Sequence, residues 1–189
     1  MAKIHKELLA IMNDYNLFMD SDKQMELPIA VTHEKSNHAS SLYIEKEIHT
    51  NQPLGHNSFD CEVRNKDIKN YSFQLLTDAL SNRVLFRLDE GNGAHRNNIP
   101  DIPLEHQSVP TPHFHRYDSK GHFLAYKSKE LKEYGSSPLS IQDGISLFCK
   151  EGNIHPESTT QTIGISVQEN GNIPSAALND TDPLNGINF

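Results

Sequence analysis

The chain has 189 residues, 35% of them apolar and 22% charged, which is the composition of one ordinary soluble domain with a hydrophobic core. Two cysteines are too few for a disulfide framework, and no long apolar run or signal-peptide pattern is present, so we expect a cytoplasmic protein with no membrane partner. The net charge of −8 argues against a tight, nonspecific binder of nucleic-acid duplexes, because such binding depends on many Lys and Arg residues.

The negative charge is concentrated at the C-terminus. All 17 basic residues lie before residue 151, and residues 151–189 contain five acidic residues and no basic one. We therefore predict a single domain over residues 1–155 and a polar, acidic tail over residues 156–189.

The first half of the chain predicts one helix followed by strands. Apolar residues at three- and four-residue steps indicate an amphipathic helix over about residues 3–19. Pro28 restricts residues 27–31 to an extended segment or an edge strand. Alternation of apolar and polar residues predicts strands from Ser41 onward and over residues 59–63, 71–76 and 83–89.

The second half predicts a long loop, a hairpin and a second helix. Residues 90–112 are rich in Gly, Asn and Pro and predict an irregular loop. Strands over residues 113–117 and 122–127 would be joined by a turn that ends at Gly121. Ser137 and Pro138 predict the start of a helix ending at Gly152, and residues 162–167 alternate as a strand would. The predicted class is α+β, an antiparallel β-sheet flanked by an N-terminal and a C-terminal helix.

Five of the eleven histidines lie within 28 residues and form the most informative cluster of the sequence: His95, His106, His113, His115 and His122. On a strand, His113, His115 and Tyr117 would project from one face, where they would form a poor core but a suitable wall for a polar cleft. Antiparallel pairing with the preceding strand would bring Arg87 and Asp89 next to that wall.

The leading hypothesis is a ribonuclease-like site that needs no metal and no cofactor. His113 and His115 would act as base and acid, because a pKa near 6.5 makes both protonation states of histidine accessible. Tyr117 would donate a hydrogen bond and Asp89 would orient an imidazole. His95 is a further catalytic candidate, and the candidates for binding substrate are Arg87, Arg96 and Asn97.

The motifs R-x-D at residues 87–89, H-R-N at 95–97 and P-H-x-H-x-Y at 112–117 resemble a family of small, uncharacterised proteins of bacteria, phages and mobile elements. In size and acidity the chain is also similar to anti-CRISPR inhibitors, a few of which act on the guide RNA of a CRISPR effector. The acidic tail would disfavour free nucleic acid, so we expect the protein to recognise an RNA that a protein partner, such as a CRISPR effector, already holds.

Two alternatives stay open. The first is a non-enzymatic inhibitor whose acidic surface blocks the basic groove of a nucleic-acid-binding protein. The second is a metal-dependent hydrolase in which His113, His115 and either His95 or Asp89 bind a divalent transition metal.

Overall fold

The computed structural model describes residues 3–36, 38–91, 93–99, 102–135, 137–158 and 160–168. The α-helices in this part of the chain are α1 Lys6–Ala10, α2 Met12–Asp20, α3 Lys129–Glu133 and α4 Ile141–Glu151. The strands are β1 Lys23–Met25, β2 Ile29–Val31, β3 His33–Lys35, β4 His38–Thr50, β5 Asn57–Val63, β6 Tyr71–Thr77, β7 Val84–Asp89, β8 His95–Arg96, β9 Ser108–Val109, β10 His113–Tyr117, β11 Phe123–Tyr126, β12 Ile154–Pro156 and β13 Ile165–Val167. None of the described helices is long and apolar enough to cross a membrane.

Nine of the strands form one curled sheet in the order β11-β10-β7-β6-β5-β4-β1-β12, with β3 paired to β4. Every pairing in this sheet is antiparallel except the parallel pairing of β1 with β12. The predicted α+β class is therefore confirmed, whereas the stricter expectation that two helices flank the sheet stays a prediction.

One face of the sheet is apolar and packs against α4. Phe73, Leu88 and Phe114 are in register across β6, β7 and β10, and all three are fully buried. The Phe148 ring of α4 lies 5.0 Å from the Phe86 ring and 5.7 Å from the Phe73 ring. Each such buried ring contributes about 2 kcal/mol of hydrophobic stabilisation, so this layer holds the site-bearing strands in place.

The other face carries a row of polar residues. Asp60, Gln74, Arg87 and His115 are in register across β5, β6, β7 and β10. Residues in register project to the same side of a sheet, so these side chains share one surface. The histidines therefore lie on the polar face of the sheet.

The predicted N-terminal helix is two helices instead of one. Ile4 forms a β-bridge with His122, and the His5 amide donates to the Gly121 carbonyl, which keeps the first residues extended. Ile11 then leaves the helical conformation at φ −123° and ψ 24°. Anchoring to the β10–β11 turn thus overrides a periodicity that would have supported a continuous helix.

The predicted start of the C-terminal helix was three residues too early. Ser140, and not Ser137, caps α4, because its hydroxyl accepts a hydrogen bond from the Asp143 amide at 3.1 Å. The sequence analysis also missed the short helix α3, whose first turn is capped in the same way by Ser128.

The long loop and the predicted tail both contain short strands. Within residues 90–112, His95 pairs with Val109 and Arg96 with Ser108. In the predicted tail, β13 pairs in parallel with β2, while residues 169–189 lie outside the described part of the chain.

Candidate functional site

The candidate site is a cleft at one end of strands β7 and β10. The two strands pair antiparallel, as the sequence predicted, and the register places Asp89 opposite His113 and Arg87 opposite His115. The cleft has a volume of about 180 Å³, and Arg64, Arg87, Asp89, Gly93, Ala94, His95 and His113 line it.

The loop that brings His95 to the cleft turns at Gly91. This residue has a φ of +82°, and a Cβ atom there would lie 2.4 Å from the Lys69 carbonyl oxygen. Only glycine fits both the backbone conformation and the close approach. The loop is thereby held against the β5–β6 connection and returns over the cleft.

Three imidazoles converge at the cleft: those of His95 and His113 line it, and that of His115 is buried against both. The ring centroids of His113 and His115 are 4.8 Å apart, and His95 lies edge-on to His115 at 4.7 Å. His115 is fully buried and His113 is 3% exposed, whereas His95 is only partly buried. One ring nitrogen from each of the three lies within 4.8 Å of the other two, which is close enough for the three to hold a metal ion together.

Asp89 connects the histidines to the arginines. Its Oδ2 atom lies 2.8 Å from Arg87 Nη2, 3.2 Å from His115 Nε2 and 3.8 Å from His113 Nε2. The carboxylate is almost fully buried, so these charged contacts are poorly screened by water. Arg87 Nη2 also lies 3.2 Å from His115 Nε2, so that nitrogen has a partner whether or not it carries a proton.

Arg64 is a member of the site that the sequence analysis missed. It follows β5 in a tight turn, and its Nη2 atom lies 3.8 Å from Asp89 Oδ1 and donates to the Ser72 hydroxyl at 3.3 Å. No local pattern marks this arginine, because only the pairing of β5 with β6 and of β6 with β7 brings it to Asp89.

Burial sets the protonation states of the cluster. Burial, together with the neighbouring His115 imidazole, lowers the pKa of His113 to about 4. Burial also lowers the pKa of His95 and of His115. Burial opposes ionisation of Asp89, but the contacts with His115 and Arg87 hold its pKa below the ordinary value. At neutral pH the three imidazoles are thus uncharged, whereas the predicted general acid would need a protonated one.

Several polar atoms of the site are buried and have no hydrogen-bond partner in the described structure. They include Nδ1 of His115, Oδ1 of Asp89, Nε of Arg87 and Nη1 of Arg64. Buried polar groups are normally paired, so these atoms require a partner such as a water molecule, an ion or a ligand.

Three of the predicted site residues lie apart from the cluster. The Tyr117 hydroxyl accepts a hydrogen bond from Asn82, and its ring packs against Tyr15. Both ends of the Asn97 amide are bound to the Ala125 backbone, at 2.7 and 2.9 Å, so this residue anchors the loop to β11. Arg96 is exposed and makes no side-chain hydrogen bond or ion pair within the described residues.

Two other histidines of the sequence cluster also lie elsewhere. His122 contacts Asp118 at 3.0 Å beside the hairpin turn, and His106 belongs to a short 3₁₀ turn over Leu104–His106.

No protein-family model matches the chain, and no curated protein and no solved structure shows significant similarity to it. The chemistry of the cleft is therefore inferred from its own residues.

Proposed function

We propose that the cleft cleaves phosphodiester bonds in RNA. The observation that supports this best is the convergence of two guanidinium groups and two imidazoles on one buried carboxylate, with the His95 imidazole next to them. Guanidinium groups bind phosphate oxygens in a planar, bidentate geometry, and imidazoles are the usual side chains for activating a nucleophile near neutral pH.

The cleft is large enough for one phosphate group of an RNA strand but too small for a whole nucleotide ligand. Pockets for whole small molecules measure about 300–1,000 Å³, and this cleft is smaller, at about 180 Å³. A phosphate would enter it while the flanking nucleotides lie outside. Arg64 and Arg87 line the cleft with side chains that are 26% and 28% exposed, and their guanidinium groups would donate to such a phosphate.

The proposed reaction is an internal transesterification. A neutral imidazole of the site takes the proton of the ribose 2′-hydroxyl, whose oxygen bonds to phosphorus. The bond between phosphorus and the 5′-oxygen breaks, and the imidazolium gives the proton to the 5′-oxygen. The products are a 2′,3′-cyclic phosphate and a 5′-hydroxyl end. Arg64 and Arg87 would stabilise the charge that develops on the phosphoryl oxygens.

The RNA would be presented by a protein partner. With a net charge of −8 the chain repels free nucleic acid at long range, so a substrate held by a basic partner would be bound more readily. A guide RNA within a CRISPR effector is one such substrate, and the effector would then be the partner that presents it.

End-labelled RNA, both free and within an effector complex, tests the proposed function. We expect the wild-type protein to form 2′,3′-cyclic phosphate ends. Arg64→Gln should lower the cleavage rate by about a hundredfold, because it removes one donor to the developing charge while Arg87 keeps Asp89 paired.

Two controls sharpen the experiment. Arg116→Gln removes an arginine from the opposite face of β10, where it pairs with the exposed Asp20, and should leave cleavage unchanged. RNA with 2′-O-methyl groups should resist cleavage, because it lacks the nucleophile. Absence of cleavage in both free and complexed RNA would refute the proposal.

A further inference from the structure

We propose that His95, His113 and His115 bind one divalent transition-metal ion. The inference deepens the proposed function by naming the group that would activate the nucleophile, but binding of the metal does not depend on RNA being the substrate. Neutral imidazoles are ordinary ligands of Zn²⁺ and of the neighbouring divalent metals.

The distances among the ring nitrogens are slightly longer than those of a metal centre, so small movements would bring the three nitrogens to bonding distance from one ion. The candidate ligand nitrogens lie within 4.8 Å of one another. A point equidistant from three atoms at that separation is roughly 2.8 Å from each, and a Zn–N bond measures about 2.0 to 2.1 Å. Each ring therefore has to shift by less than about 1 Å, which rotation of His95 on its loop and small changes of side-chain torsion can supply.

The hydrogen bond between His115 and Asp89 is of the kind that metal-binding histidines make. Such a histidine usually donates one ring N–H to a carboxylate, a backbone carbonyl or water, which orients the ring, and binds the metal through its other nitrogen. His115 contacts Asp89 through Nε2, while its Nδ1 is buried and has no partner. The ring is further held by stacking on Phe123, at a centroid distance of 5.2 Å and an interplanar angle of 20°.

Three protein ligands leave a metal coordination position for water or a phosphate oxygen. Catalytic zinc sites have this arrangement, whereas structural sites have four protein ligands. Gly93 and His95 line the cleft and are, respectively, exposed and partly exposed, so solvent reaches this side of the site. An ion at this position would lower the pKa of a bound hydroxyl group and polarise the phosphoryl oxygen.

The positive charge of the two arginines should weaken binding of the ion. With neutral histidines, Arg64, Arg87 and Asp89 together give the site a charge of +1, which repels a cation. Binding should therefore be weaker than at a closed structural site, and a phosphate anion should strengthen it by neutralising the surplus charge.

Calorimetric titration of the untagged, chelator-treated protein with ZnCl₂ tests the inference directly. We expect one ion per chain, tighter binding in the presence of inorganic phosphate, and at least about a tenfold loss of affinity in His95→Ala. His95 is partly exposed on a two-residue strand, so its replacement should leave the fold intact, as circular dichroism would report. His56→Gln changes an exposed histidine outside the cleft and is the matched control.

A second measurement needs no variant. Electron paramagnetic resonance of the protein loaded with one equivalent of Cu²⁺ should show hyperfine coupling to several imidazole nitrogens at a single site. Equal Zn²⁺ affinity in the wild type and in His95→Ala, or no stoichiometric binding of Zn²⁺ or Cu²⁺, would overturn the inference.

The two proposals fail in different ways. One bound Zn²⁺ without RNA cleavage would defeat the proposed function and leave the metal site standing. Absence of stoichiometric Zn²⁺ binding, with RNA cleavage that persists in excess chelator, would defeat the metal site and leave the ribonuclease standing.

Discussion

Asp60 and Asp89 lie on the same polar face of the sheet, two strands apart, and their environments shift the carboxyl pKa in opposite directions. Asp89 is almost fully buried, and its contacts with His115 and Arg87 hold its pKa below the ordinary value in spite of burial. Asp60 is partly buried, and burial raises its pKa to about 6. No hydrogen bond or ion pair joins the Asp60 side chain to the residues that the structure describes.

The comparison shows that partners, and not burial alone, decide the charge of a carboxylate in this sheet. The more buried aspartate is the one that stays ionised, because two guanidinium groups and an imidazole surround it. A buried charge with dedicated partners is the pattern expected of a functional site. Asp60 has no such partners among the described residues, and burial therefore raises its pKa, as it does for any carboxyl group that is removed from water.

The largest expected effect comes from removing the charge of Asp89. Asp89→Asn leaves Arg64 and Arg87 without a counter-charge in a buried site, and the free energy of unfolding should fall by about 3 kcal/mol at pH 7. Urea denaturation measures this value. A loss below about 1 kcal/mol would mean that water, and not Asp89, compensates the two arginines.

Asp60→Asn should have a smaller effect of opposite sign. The folded pKa of about 6 lies above the ordinary value of 3.8. At pH values where Asp60 is protonated in both the folded and the unfolded chain, its ionisation does not affect the free energy of unfolding. As the pH rises from 4 through 6, ionisation increasingly favours the unfolded chain, and that part of the stability is lost.

The variant cannot ionise and therefore avoids this loss. It should match the wild type at about pH 3 and be about 2 kcal/mol more stable at pH 8, as judged from urea denaturation at both pH values. A stability difference that does not vary with pH would show that packing, and not charge, distinguishes Asn from Asp at this position.

The smallest expected effect is that of a neighbouring charge. Lys35 forms an ion pair with Glu62 and opposes the rise in the Asp60 pKa. Lys35→Gln should raise the pH at which ionisation of Asp60 begins to reduce stability, by less than about one unit. The shift is small because the interaction between two partly exposed charges contributes about 1 kcal/mol or less. Lys66→Gln breaks a more exposed pair with Glu34 and should leave the transition in place.

Part of the site could be predicted from alternation along two strands. Side chains in a strand point to alternate faces, so His113 and His115 had to share one face, and the antiparallel register placed Arg87 and Asp89 beside them. The same alternation placed Tyr117 on that face, but its surroundings are different, since the helix residue Tyr15 packs against it. Alternation identifies the face of a residue but not what covers that face.

What the sequence by itself determined is therefore local: the α+β class, most of the central strands, the β10–β11 hairpin and the shared face of His113 and His115. These follow from periodicity and turn chemistry, which act over a few residues. Only the tertiary structure decided that Arg64 joins Asp89, that Asn97 is an anchor, and that the three imidazoles meet beside a small cleft. Those outcomes depend on strand order and burial, which bring together residues up to 51 positions apart, from Arg64 to His115.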